Sequence, residues 1–158
     1  HMEQVSDILN SSLAEEEKLR RALDAAVRLV EAEAGALFLA SPEGTLSLSA
    51  IGGERAAGLT ALHSTIAAGV HRTGQAVLIT QGPQDPRLVA GQGWQAAVSV
   101  ASLVSVPVRM GARAVGVLEV VNRRSGKPFS NWDVLELASL SNQFGLAIDN
   151  LRRGAGRV

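Results

Sequence analysis

The sequence contains no cysteine and no tyrosine, and its aromatic residues are limited to three phenylalanines and two tryptophans. Without cysteine the chain cannot form disulfides, catalytic thiolates or zinc sites built on thiolates. The same absence fits a reducing compartment, so we expect a cytoplasmic protein. No run of apolar residues approaches the length of about eighteen that a membrane-spanning helix needs, so we expect no membrane partner.

The chain also lacks an excess of charge of either sign. Its 15 basic residues balance its 15 acidic residues, whereas nucleic-acid-binding domains usually carry a basic excess, so we expect no nucleic-acid partner. The motifs G-x-S-x-G and H-E-x-x-H and the Walker loop are missing as well, so we predict a protein that is not an enzyme. With 46% apolar residues and a mean hydropathy of +0.15, the 158 residues are sufficient for the core of one domain.

The N-terminal region, from Glu3 to Ala34, contains neither glycine nor proline and predicts one long helix that ends at Gly35. About thirty residues at 1.5 Å each span roughly 45 Å, which exceeds the roughly 30–35 Å of a compact domain of this length. An overhanging helix needs a partner for its apolar side, so we predict a homodimer through the terminal helices. In the alternative, the first turns fray or fold back. The apolar residues that we assign to the dimer interface are Val5, Leu9, Leu19 and Leu23.

The remainder of the chain alternates between short strands, turns and helices. The predicted strands are 36–40, 45–51, 76–80, 102–108 and 114–122, and the further predicted helices are 62–73 and about 131–153. The glycine-rich stretch 52–58 predicts an exposed loop, and residues 88–98 are weakly helical at best. This order of elements predicts an α+β fold with a largely antiparallel sheet.

The stretch NRRSGKPFSNWD, residues 122–133, connects the last strand to the last helix. Ser130 is the expected N-cap of the helix, and Asp133 three residues later completes a short-armed capping box. Phe129 before the cap and Val134 after it predict a hydrophobic staple. Asn122 at the strand end is expected to bind loop backbone with its side chain. We therefore predict that this loop holds structure and does no chemistry.

The same loop carries a family resemblance. The stretch VPVRMGARAVGVLEVVNRRSGKPFSNWDVLELASLSNQFGLAIDN resembles the second half of a GAF domain, in which Asn122, Phe129 and Asp133 match the family pattern. Arg123 and Val134 depart from it, since the family has a lysine and a glutamate there. The stretches AGALFLASPEGTLSLSAIGG and IAAGVHRTGQAVLITQGPQDPR resemble the first half. The resemblance covers roughly residues 15 to 152.

The resemblance implies a domain plan. We expect residues 3–153 to form the GAF domain with its N-terminal helix and residues 154–158 to form a linker or tail, while the opening His1-Met2 by itself resembles a cloning remnant. A GAF domain is similar to a PAS domain, with the first and last helices on one face of a central antiparallel sheet and short helices and loops on the other. The second face commonly covers a small molecule.

The resemblance also implies a function. We expect a sensory module of a multidomain bacterial signalling protein that binds a small-molecule effector over the sheet. The bound state would pass through a helical dimer interface to an output domain, which the sequence does not identify. The alternative is a ligand-free GAF module that serves as a dimerising spacer.

Alternation along the strand 114–122 places Ala114, Gly116, Leu118 and Val120 on one face and Val115, Val117, Glu119 and Val121 on the other. Glu119 would then face the pocket, where a carboxylate needs a donor from protein, water or ligand. In cyclic-nucleotide-binding GAF domains a glutamate here resembles a purine contact. In the alternative, Glu119 pairs with a protein group or lies near solvent. The candidate ligand-binding residues are Glu119, Trp94, Ser105, His71 and Val117.

The sequence does not identify a cofactor. His63 and His71 lack the spacing and the neighbours of a metal site. A haem would need an axial histidine inside a large aromatic pocket, and the attachment of a bilin, as the resemblance implies, would need a cysteine. We therefore expect neither haem, nor bilin, nor a metal.

Overall fold

The computed structural model describes residues 4–53 and 62–155, in which helices and strands follow one another as the antiparallel α+β prediction requires. The helices are α1 (Val5–Leu9), α2 (Glu15–Leu29), α3 (Thr65–Thr73) and α4 (Asn131–Ala155). The strands are β1 (Ala32–Ala40), β2 (Leu46–Gly52), β3 (Val77–Ile79), β4 (Leu103–Met110) and β5 (Arg113–Arg123). Two short 3₁₀ turns occupy Gly82–Gln84 and Gly93–Ala96. The predicted loop at 52–58 lies outside the described residues beyond Gly53.

The five strands form one sheet in the order β2-β1-β5-β4-β3, and every pair is antiparallel. The two predicted hairpins, β1 with β2 and β4 with β5, are confirmed. The central strand β5 pairs with β1 on one side and β4 on the other, so that its middle residue Glu119 lies between Ala36 and Ser105. The middle of β5 is therefore enclosed by backbone from both neighbouring strands.

The sheet separates two hydrophobic cores. The larger core lies against α1, α2 and α4, which contribute Leu23, Phe144 and Ile148 among others to the contacts with Leu118 and Val120 of β5. The smaller core lies on the other face and gathers side chains of β1, α3, β5 and the turn that carries Trp94. The predicted arrangement, with both terminal helices on one face and short elements on the other, is confirmed.

The prediction of one continuous helix from Glu3 to Ala34 is wrong. Helix α1 ends at Leu9, and α2 begins only at Glu15. In the connection the Ser11 hydroxyl donates to the carbonyl of Ile8 at 2.6 Å, because serine side chains compete for backbone groups that a helix would otherwise use. The chain therefore turns, and α1 folds back onto the domain. Folding back of the first turns was the alternative to an overhanging helix that dimerises.

The predicted helix end at Gly35 is also wrong. Helix α2 ends at Leu29, and Glu31 takes a left-handed conformation with φ of 58° before β1 begins at Ala32. The carbonyl of Glu31 accepts a hydrogen bond of 2.7 Å from the backbone of Arg124, which holds the reversal against the end of β5. Gly35 lies inside β1, where a Cβ would come within 2.7 Å of a Val27 methyl group. Its absent side chain permits close packing of α2.

The side chains assigned to a dimer interface lie largely inside the chain itself. Val5, Leu19 and Leu23 are buried in the larger core, and Leu9 is half-buried against it. The apolar side of the N-terminal region therefore contacts α4 and the sheet of the same chain. The overhang that motivated the dimer is absent, and self-association stays a prediction.

The connection from β5 to α4 matches its prediction closely. The backbone N–H of Ser130 donates to the carboxylate of Asp133 at 2.8 Å, which is one half of the predicted capping box, and the Ser130 hydroxyl donates to the same carboxylate at 3.2 Å. Phe129 is buried and Val134 packs against the same core. The Asn122 side chain accepts from the backbone N–H of Ala101 at 2.7 Å and donates to the carbonyl of Ser99 at 2.8 Å. The loop therefore ties β5 to the segment that leads into β4.

Candidate functional site

Glu119 is a fully buried acid in the middle of the sheet, with 0% of its surface exposed. It lies on the face of the smaller core, as strand alternation predicts. The indole N–H of Trp94 donates to one carboxyl oxygen at 2.9 Å, and the Ser64 hydroxyl donates to the other at 3.2 Å. The donors to the Glu119 carboxyl group are therefore protein side chains. This agrees with the alternative to a purine contact, in which Glu119 pairs with a protein group.

Ser64 is the residue that the sequence analysis missed. It is the N-cap of α3, where its hydroxyl oxygen accepts from the backbone N–H of Ala67 at 3.0 Å and its proton is directed to Glu119. A serine immediately before the helical stretch TIAAGV is a recognisable capping signal. Its second role needs a strand 55 residues away, for which the local sequence has no signal.

Trp94 reaches Glu119 from a short 3₁₀ turn, Gly93–Ala96. Gly91 and Gly93 precede the indole with φ of 78° and 57°, which are left-handed conformations that favour glycine. The side chain is buried within the smaller core together with Val100 and Leu103. The turn therefore delivers a flat apolar group with one donor to the carboxyl group.

Ser105 is the cross-strand neighbour of Glu119 in β4. It is fully buried, and its hydroxyl has no hydrogen-bond partner among the residues that the structure describes. Neighbouring residues on paired antiparallel strands have Cβ atoms about 4.5–5.5 Å apart, so this hydroxyl lies beside the carboxyl group. In the group of Glu119, Trp94, Ser64 and Ser105, the hydroxyl of Ser105 is therefore a donor without a partner among the described residues.

Burial raises the pKa of the Glu119 carboxyl group above its usual value, because water no longer stabilises the charged form. The hydroxyl of Ser105 and the hydrogen bonds from Ser64 and Trp94 oppose this change. The Ser105 effect reflects proximity, since its geometry does not complete a hydrogen bond. The result is an acid with an increased tendency to stay protonated, without a cationic partner among its described neighbours.

Among the cavities that the described residues border, three lie over this face of the sheet. The first, of about 220 Å³, is bordered by Ser64, Trp94 and Leu103, with Arg87 in its wall. The second, of about 560 Å³, lies between α3 and the β1–β2 hairpin, and the third, of about 350 Å³, lies along α3 and β3. The first cavity directly adjoins the hydrogen-bond network of Glu119, and we call it the Trp94 cavity.

The comparison with known families agrees with this architecture. The family model described as the GAF domain matches residues 12–149. The chain belongs to the GAF family. No curated protein is significantly similar to it in sequence.

Solved structures share the fold, among them GAF domains. The GAF domain of a phosphoenolpyruvate-protein phosphotransferase from Coxiella burnetii is 16% identical, with 96% of this chain and 92% of that chain covered and a TM-score of 0.77. A methyl-accepting chemotaxis protein, residues 122 to 287, is 23% identical, with coverage of 93% and 96% and a TM-score of 0.73. Such neighbours place the GAF fold in signalling proteins.

An enzyme also occurs among the neighbours. The free methionine-R-sulfoxide reductase from Neisseria meningitidis, in complex with its substrate, is 15% identical, with coverage of 95% and 87% and a TM-score of 0.72. At these identities the similarity shows the fold alone. GAF domains are generally regulatory, and this neighbour shows that the same fold also supports catalysis.

The candidate ligand-binding residues divide between two places in this GAF domain. Glu119, Trp94, Ser105 and Val117 lie together in or beside the smaller core. His71 lines the second cavity instead, where its buried Nδ1 has no hydrogen-bond partner among the described residues. The structure therefore does not bring His71, which lies on α3, together with Glu119.

One residue of β5 departs from the predicted alternation. Val115 belongs to the larger core with Leu118, whereas alternation predicted the face of Glu119. The register shifts between Val108, which pairs with Gly116, and Arg109, which pairs with Ala114. Val115 is thus the additional residue of a β-bulge, and such a bulge reverses the direction of a side chain.

Two findings concern metals and membranes. Within residues 4–53 and 62–155, no three side chains of histidine, aspartate or glutamate are grouped as metal ligands. Within the same residues, no helix is sufficiently long and apolar to cross a bilayer.

Proposed function

We propose that this GAF domain is a sensory module that binds a small molecule at the Trp94 cavity. The observation that carries the proposal is the fully buried Glu119 beside that cavity, without a described cationic partner. A buried acid in a position that an apolar residue would fill is a cost to stability. A hydrogen-bonding role toward a ligand accounts for its presence.

The position of Glu119 supports a route for the signal. Leu118 and Val120, its neighbours on β5, face the opposite side of the sheet and pack in the core with α2 and α4. A displacement of β5 by a ligand would therefore change the packing of both helices directly. We propose that the ligand prefers one of two helix arrangements and that this preference is the signal.

We further propose a homodimer through α4, in place of the interface assigned from the N-terminal region. Helix α4 exposes Trp132 (73%), Leu135 (65%) and Leu146 (57%). At 3.6 residues per turn these side chains fall within an arc of about 60° on the helix. Large apolar side chains aligned in this way are typical of an interaction surface. In the parent protein this surface would connect to an output domain.

We propose that the module has no catalytic activity, since the sequence lacks the cysteines that a redox reaction of sulfoxides would use. The zero net charge and the absence of cysteine support a cytoplasmic role in bacterial signal transduction without nucleic acid. A second candidate is a ligand-free dimerising spacer. One observation favours it, namely that both Glu119 oxygens already have protein donors.

A thermal-shift screen of nucleotides, neutral metabolites and lipophilic metabolites separates the two candidates. A compound that binds the native state at 100 times its dissociation constant adds about 2.7 kcal/mol to the free energy of unfolding. We expect at least one compound to do so for the native chain and to lose its effect in Glu119→Gln. The matched control is Glu43→Gln, since Glu43 is exposed in the β1–β2 turn. A screen without any stabilising compound would support the spacer.

A further inference from the structure

We propose that the indole of Trp94 occupies the position of the ligand's own hydrogen-bond donor. The ligand is then a small neutral molecule whose ring or amide N–H replaces the indole N–H on Glu119, and its binding releases residues 91–98, which we call the Trp94 segment. The inference rests on the proposed function, because it assigns a ligand class and a control step to the same site.

The bond between Trp94 and Glu119 identifies the chemistry that the site accepts. An indole is a flat apolar ring with one N–H donor and no acceptor, and here it donates to Glu119 at 2.9 Å. The opposite carboxyl oxygen already accepts from Ser64, which is fixed at the start of α3. A ligand that contacts Glu119 must therefore compete with Trp94 for the same oxygen.

Ser105 indicates a second feature of the ligand. Its hydroxyl is buried beside Glu119 without a described partner, and buried polar groups in native proteins are rarely left unpaired. Trp94 cannot accept a hydrogen bond from the Ser105 hydroxyl, because the indole has a donor but no acceptor. A ligand with a ring nitrogen or carbonyl next to its N–H would accept from Ser105 while it donates to Glu119.

The surroundings favour a neutral ligand over a cation. The Trp94 cavity is bordered by apolar side chains, among them Ile66, Leu88 and Leu103. Arg87 also lines it, held by Asp85 at 2.7 Å. A cationic ligand would lose its hydration in this apolar cavity, which opposes binding, and the charge of Arg87 is already paired with Asp85.

The Trp94 segment is attached in a way that permits release. Its described hydrogen bonds are local, such as those from Ala97 and Val98 to the carbonyl of Trp94, apart from the bond to Glu119. Gly91 and Gly93 provide flexible backbone at its start. Immediately after it, Asn122 holds Ser99 and Ala101 against the end of β5. Val98 also packs against the smaller core, so displacement of the indole removes one of the two apolar attachments of the segment there and its bond to Glu119.

The test uses the chain with 5-fluorotryptophan in place of both tryptophans and follows ¹⁹F NMR resonances. The probes are 7-azaindole, which has a donor beside an acceptor, indole, which has a donor only, and 1-methyl-7-azaindole, which has an acceptor only. We expect 7-azaindole to bind most tightly and to move the Trp94 resonance. The Trp132 resonance should stay in place, because Trp132 is exposed on α4.

Two variants sharpen the test. Trp94→Phe keeps a ring but removes the competing N–H, so we expect it to bind 7-azaindole about tenfold or more tightly than the native chain. Ser105→Ala should reduce the affinity for 7-azaindole to that for indole. If Trp94→Phe does not fold, the ¹⁹F resonance of Trp94 in the native chain still shows whether 7-azaindole displaces the indole.

The proposal is wrong if 7-azaindole and its methylated form bind equally, or if binding leaves the Trp94 resonance unmoved. Equal affinity of the native chain and Trp94→Phe would overturn it as well. If a compound from the thermal-shift screen binds and the Trp94 resonance stays in place, the sensory function stands and only the release of Trp94 fails. If no compound binds the native chain or Trp94→Phe, both proposals fail.

Discussion

Gly145 in the middle of α4 lies directly against the backbone carbonyl of Arg109 near the end of β4, so that a Cβ at Gly145 would overlap this oxygen. Glycine inside a helix is unfavourable by about 1 kcal/mol relative to alanine. The sequence retains it because α4 must approach the sheet closely. The contact thus sets the distance between the last helix and the strand next to Glu119.

Gly145→Ala should destabilise the domain although alanine is the better helix former. The new methyl group meets rigid backbone, and we expect a net loss of about 1–3 kcal/mol in the free energy of unfolding, measured by urea denaturation. Gly69→Ala in α3 is the matched control, because its nearest atom is the flexible end of Arg72 at 3.9 Å. There we expect a gain of up to about 1 kcal/mol. A gain at both positions would contradict the close approach of α4.

The stability of the native chain relative to Glu119→Gln should depend on pH. Burial raises the pKa of Glu119 above 4.5, so the folded state binds this proton more tightly than the unfolded chain does. The corresponding stabilisation is fully present below the unfolded pKa and is lost as pH rises through the folded pKa. We therefore expect the native chain to lose stability relative to the variant from about pH 4.5 upward, by at most about 1.4 kcal/mol per pH unit.

Denaturation of both proteins over a series of pH values measures this difference. Parallel stability curves for the native chain and Glu119→Gln would mean that burial does not alter the titration of Glu119.

Ile8→Ala should destabilise the monomer, because Ile8 is 3% exposed in the larger core and Val5 beside it is 1% exposed. Truncation of a buried isoleucine costs about 2–5 kcal/mol, and we expect the lower end for a short terminal helix. Leu9→Ala, at a half-buried position, should cost less. Urea denaturation at two protein concentrations measures both variants. The region would instead be a dimer interface if Leu9→Ala lowered the free energy of unfolding more than Ile8→Ala does. A loss of stability that depends on protein concentration would lead to the same conclusion.

Replacement of Trp132 by alanine should weaken self-association. Interface hot spots, in which tryptophan is enriched, cost about 2 kcal/mol or more on truncation, or a factor of about 30 in the dissociation constant, which sedimentation equilibrium would detect. Val89→Ala, at an exposed apolar residue near the Trp94 cavity, is the control. A native chain that stays monomeric, or a dimer that Trp132→Ala leaves unchanged, would exclude α4 as the interface.

Local sequence was sufficient wherever the structure depends on neighbouring residues. Ser130 and Asp133 are three residues apart, and their capping interaction forms within one turn of α4. The alternation around Leu118 and Glu119 correctly predicted which side chain faces each core.

Local sequence failed where a distant contact determined the outcome. No glycine or proline marks the reversal at Glu31, which a backbone bond from Arg124 holds in place. The direction of Val115 depends on a bulge opposite β4, and alternation within a single strand cannot reveal such a bulge.

By itself the sequence determined the order of helices and strands, the cap of the last helix and the face of the sheet on which Glu119 lies, because periodicity and capping are properties of consecutive residues. The assignment of both terminal helices to the other face came from the resemblance of its motifs to the GAF family. Only the tertiary structure decided that Trp94 and Ser64, which are 25 and 55 residues from Glu119, share its carboxyl group. The physical reason is that a buried acid needs donors wherever the folded chain brings them, and these distances in sequence leave no periodic signal.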